Sequence, residues 1–98
     1  MAFYMDLEGA KSAVLNYYAK RLEVNIKLLE IVENPKLVVH KLPANSNLSR
    51  EITCEIRLKT TNERVGIVLI GNVVGSVGLQ CWIADNGIAS SVDTGFYN

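Results

Sequence analysis

The chain has 98 residues, of which 49% are hydrophobic and 20% charged, a balance that favours a packed core over disorder. That length is room for one domain, residues 1–98. Ten basic and ten acidic residues cancel, and Lys20-Arg21 is the densest run of positive charge. The sequence therefore lacks the global field that draws a protein onto phosphate backbones or acidic lipids, and nucleic-acid binding is disfavoured on that ground.

Met1 to Met5 carries no basic residue, and Asp6 and Glu8 interrupt any apolar run, so the N-terminus does not read as a secretory leader. Asp6 is placed to cap a helix, its carboxylate accepting from the free N–H groups of the first turn, and Glu8 suits the positive end of the helix dipole. Leu7, Ala10, Val14, Tyr17, Tyr18 and Leu22 follow at helical spacing, with Lys11, Asn16 and Lys20 on the other side. A helix is expected from about Asp6 to Arg21.

Val24, Ile26 and Leu28 then alternate with Asn25 and Lys27. The same residues could continue the helix through Leu22, Ile26 and Leu29, but β-branched content favours a strand from about Val24 to Val32. Asn34-Pro35 stops either element. A second strand is expected over Leu37–Leu42 and a loop over Pro43–Asn47. Ile52, Cys54, Ile56 and Leu58 alternate with Thr53, Glu55, Arg57 and Lys59, the pattern of a strand with one dry and one wet face. On the wet face Arg57 is expected to be dispensable. Thr61-Asn62-Glu63 reads as a turn.

Val65 to Ala84 contains no charged residue. Twenty such residues are long enough for a helix across a bilayer, and Gly71 and Gly75 have the spacing of membrane helix pairs. Four glycines, the polar Asn72, Ser76 and Gln80, and a high share of Val and Ile favour two buried strands joined near Gly71-Asn72 or Gly75-Ser76. Asp85-Asn86-Gly87 is a tight-turn signal, Ile88–Val92 a short edge strand, and Thr94–Asn98 a loose tail.

Few residues suggest chemistry. Cys54 and Cys81 each sit among large apolar residues on an alternating strand, so both read as reduced, buried thiols. Val92-Asp93-Thr94-Gly95 matches the Asp-Thr-Gly signature of aspartic proteases but lacks the sheet that should follow it. His40 could pair with a cysteine, yet it lies among valines and lysines. One histidine and two distant cysteines make no metal site, and the glycines at 66, 71, 75 and 78 fit no nucleotide loop. No cofactor, metal or catalytic residue is expected.

The expected fold is α+β, one N-terminal helix packed on one face of a four- to six-stranded antiparallel sheet. This element order is similar to that of the cystatin-like architecture, a likeness that carries no function. One helix covers one face, while the strand from Val65 is apolar on both. A sticky face is therefore expected, with Val68, Ile70, Gln80 and Trp82 as the candidate interface, closed by a two-fold self-contact. The functional expectation is a non-enzymatic, cytoplasmic protein-interaction module. Its partners would be a second copy in a homodimer or another protein, not nucleic acid or membrane. The alternatives are a small-ligand-binding domain or small enzyme with a site between helix and sheet, and a single-pass membrane protein spanning about 65–84.

Overall fold

The computed structural model of the chain describes residues 6–37, 48–75, 77–85 and 90–91; at 48–50, 73 and 90–91 it describes the backbone alone. Helix α1 runs Leu7–Leu22. Asp6 caps it as the sequence predicts, its Oδ1 accepting the Gly9 N–H at 2.7 Å. Glu23 ends it in the left-handed conformation (φ 55°), with its N–H turned back to the carbonyls of Ala19 and Lys20. The buried stripe is Ala10, Val14 and Tyr18, one residue per turn.

The chain does not enter a strand directly. Asn25 Oδ1 accepts the Lys27 N–H at 2.9 Å and starts a short 3-10 helix, η1, over Ile26–Leu28. This local side-chain bond competes with the ladder. Strand β1 therefore covers only Leu29–Glu33, five residues later than the alternation of Val24, Ile26 and Leu28 suggests.

Strands β2 (Leu48–Leu58), β3 (Arg64–Val73), β4 (Gln80–Ile83) and β5 (Ser90–Ser91) complete an antiparallel sheet in the order β1-β2-β3-β4-β5. The fold is thus α+β, with the N-terminal helix on one sheet face. The uncharged stretch from Val65 to Ala84 is strand, turn and strand. Gly71-Asn72 lies inside β3, and the chain reverses after it through Gly75 at φ 86°. No described helix is long and apolar enough to cross a membrane. Expectations for residues 38–47, for Asn86-Gly87 and for the tail 94–98 lie outside the described residues.

Register fixes which side chains face the helix. Cys54 pairs with Val68, Ile52 with Ile70, Ile70 with Cys81 and Val68 with Ile83. Directly opposed residues share a face. The core under α1 therefore gathers Leu29 from β1, Cys54 and Ile56 from β2, Val68 and Ile70 from β3, and Leu79 and Cys81 around β4. Near its start β3 carries one extra residue: Ile56 pairs with Gly66 and Arg57 with Arg64, leaving Val65 without a partner across the ladder.

Candidate functional site

The four residues expected to share one patch occupy two faces. Val68 and Ile70 lie beneath α1 with no solvent exposure, and so belong to the core. Gln80 and Trp82 point to the far side, where Trp82 pairs with Leu69. That face is not left open at their positions: Trp82 is 2% exposed, and Leu69 and Gln80 are also buried. A strand apolar on both faces gives no sign of which face the helix takes, and only the pairing of Cys54 with Val68 decides it. The exposed Trp82 patch is thereby corrected.

The far face also holds a group that alternation placed in water. Glu55 is 3% exposed. Asn34 Nδ2 donates to its Oε2 at 2.7 Å, Arg57 Nη2 donates to its Oε1 at 2.9 Å, and Arg64 Nη1 reaches Oε1 at 3.5 Å. The Asn34 hydrogen bond, ahead of the two guanidinium charges, holds the carboxyl below its ordinary value against the opposing effect of burial. Arg57 also donates to the Asn62 carbonyl at 2.8 Å. Arg57 and Arg64 stand opposite each other on β2 and β3. Sharing one carboxylate is what lets two like charges sit so close. The arrangement is a closed ion cluster whose acid accepts three donors, with the geometry of a structural clasp.

At the end of α1 a second clasp ties helix to sheet. The Tyr18 hydroxyl donates to Asp85 Oδ1 at 2.6 Å, the Ile67 N–H donates to the same oxygen at 2.9 Å, and Arg21 donates to Oδ2 at 3.0 Å. Burial, then the bond to Asp85, pushes the Tyr18 phenol far above its usual value, so it stays protonated and donates to Asp85. The thiols are equally quiet. Burial pushes Cys54 up to about 11 and Cys81 up to about 12. Both face α1 from β2 and β4 with β3 between them, so two strand spacings, about 9.5 Å, separate their backbones. That exceeds the reach of a disulfide, and both cysteines are free and buried.

One accessible feature is the sheet margin at β1. Among the described residues β1 pairs with β2 alone. The Asn34 N–H donates to Thr53 O at 2.9 Å and the Lys59 N–H to Leu28 O at 2.8 Å, so even-numbered residues turn their backbone groups toward β2. Ile31 and Glu33 turn theirs outward. Leu29 sends its N–H to Ile26 O and leaves its carbonyl facing out. Ile26 and Leu28 just before this strand and Val32 within it are 37–41% exposed; elsewhere Leu22 at the end of α1 and Val74 and Val77 around the β3–β4 turn are exposed as well. The opposite margin, β5, has two residues.

Where β1 stops, β2 continues, and a cleft of about 440 Å³ lies beside it. Pro35, Leu37, Ile52 and Leu69 supply apolar walls, and Glu33 and Glu51 supply carboxylates. Lys11 Nζ binds Glu33 Oε2 at 3.1 Å. No three His, Cys, Asp or Glu side chains among the described residues are grouped to hold a metal ion.

The chain matches no protein-family model, no curated protein and no solved structure. The reading of its function therefore rests on this geometry. Val32 was legible in the sequence as a strand residue, whereas Leu28, expected in the same strand, falls in η1. That β1 lies at the sheet margin was not legible, because strand order is a property of the whole fold.

Proposed function

We propose that this chain is a non-enzymatic protein-interaction module that self-associates, and that its contact lies at the β1 margin. The observation that carries the reading is exposed Leu28 and Val32 at a strand edge that pairs with no other described residue than those of β2. Balanced charge supports association between copies, since no net repulsion keeps them apart, and gives no attraction to nucleic acid. Two buried, unpaired thiols fit a reducing compartment such as the cytoplasm. Light scattering across a concentration series tests the reading. Dimer mass at high micromolar concentration, reduced by Leu28→Asp, is expected. A monomer throughout would overturn it.

A second reading is favoured by the cleft beside β2. Its volume and its mixture of apolar walls with carboxylates suit a small apolar molecule bearing an amine. Leu69 lines the cleft and pairs with Trp82, so tryptophan fluorescence should report binding. An alkylamine that changes the fluorescence, where the matching fatty acid does not, would support this reading. Equal indifference to both would end it.

A further inference from the structure

We infer that the occupant of the β1 edge is β1 of a second copy of this chain, paired antiparallel with Ile31 opposite Ile31 across a two-fold axis. This rests on the self-association reading and names its geometry. Edge strands that are kept apart carry a lysine, a proline, a bulge or very few residues. Strand β5 has two residues, whereas β1 runs Leu-Glu-Ile-Val-Glu in unbroken register with β2 and meets its first proline only at Pro35.

The β1 sequence is compatible with its own reverse. With Ile31 centred, Leu29 stands opposite Glu33 of the other copy and Glu30 opposite Val32, so no glutamate meets a glutamate. Backbone parity agrees, because the residues that turn outward are the odd-numbered ones this register pairs through hydrogen bonds. The two Ile31 residues exchange two bonds, and each Glu33 N–H meets the outward carbonyl of Leu29. Shifting the strands one way by two residues would place Glu30 against Glu30. Shifting them the other way would bring Pro35, which has no N–H, opposite Leu29. The exposed Val32 then lies diagonal to Leu28 of the other copy, within reach of its side chain. Because the axis is perpendicular to the sheet, the two sheets join and both helices lie on the same side.

The test uses the whole chain. Glu33→Pro removes an N–H that points away from β2, so the fold should keep its circular dichroism while the dimer is lost. Ile31→Cys would bring two thiols onto an opposed pair with Cα atoms about 5.5 Å apart, so mild oxidation should cross-link the dimer at that position. In the wild type, the Ile31 and Glu33 amides should exchange with deuterium more slowly as protein concentration rises. A dimer indifferent to Glu33→Pro, with concentration-independent exchange at both amides, would overturn the β1 pairing and leave self-association through another surface. A dimer that Ile31→Cys does not cross-link would overturn this register. Wild-type protein that stays monomeric at high micromolar concentration would overturn both this pairing and the reading beneath it.

Discussion

The ring of Tyr18 occupies the space that a side chain at Gly66 would fill. A Cβ at position 66 would overlap Cε1 and Cζ of that ring and come within 2.6 Å of its hydroxyl oxygen. Tyr18 is buried, and its hydroxyl is held by Asp85, so the ring has no free direction in which to retreat. Absence of a side chain on β3 is therefore what lets the last turns of α1 settle on the sheet.

From this contact, Gly66→Ala should cost about 1–3 kcal/mol through overpacking. Urea unfolding measures it. In the Tyr18→Ala background the same substitution should cost much less, since the atoms it strikes are gone. Equal costs in the two backgrounds would show that the ring does not set the requirement for glycine.

Arg57 is a surface residue by strand alternation but a partner of a buried acid by structure. Arg57→Ala should therefore cost about 1–3 kcal/mol rather than leave stability unchanged. A loss under about half a kcal/mol, as for ordinary surface substitutions, would mean that Asn34 and Arg64 suffice to hold Glu55.

Glu55 also gives the fold an acid dependence of definite sign. Its folded pKa lies below the reference value of 4.5, so the folded state binds its proton less readily than the unfolded chain. The stabilisation is present in full above that value and is lost as pH falls through the folded pKa. Wild-type stability should therefore fall more steeply below pH 4.5 than that of Glu55→Gln. Parallel curves in this range would remove Glu55 from the account.

The thiols should be unreactive in the folded protein. With Cys54 near 11, only about one molecule in a thousand carries its thiolate at pH 8. Neither cysteine should react rapidly with a thiol reagent under native conditions, and both should react in denaturant. Fast stoichiometric labelling of either one in the native state would contradict its burial.

Two neighbours in the dry row of β2 should differ. Ile56 has no exposure, while Leu58, at the end of β2, is only partly buried. Truncation to Ala should cost about 3–5 kcal/mol at Ile56 and about 2 or less at Leu58. The reverse order would mean that the core is centred nearer the turn after β2.

Local chemistry determined α1 and the parity of β2. Asp6 three residues before the Gly9 N–H makes a cap from adjacent atoms, and a helical stripe or a two-residue alternation needs no partner to be read. Strand over helix for Val65–Ala84 was likewise legible, because glycine and β-branched residues weigh against a helix in any setting. The tertiary structure decided everything that depends on a neighbour. It turned Val68 and Ile70 rather than Leu69 toward the helix, because β3 is apolar on both sides and its register with Cys54 breaks the tie. It buried Trp82 and Glu55, the latter only because Asn34 and two arginines from separate segments converge on one carboxylate. It also left β1 at the margin of the sheet. Hydrophobic periodicity records which residues avoid water together, but the strand that lies outermost follows from the order in which the strands pair, and no single segment contains that order.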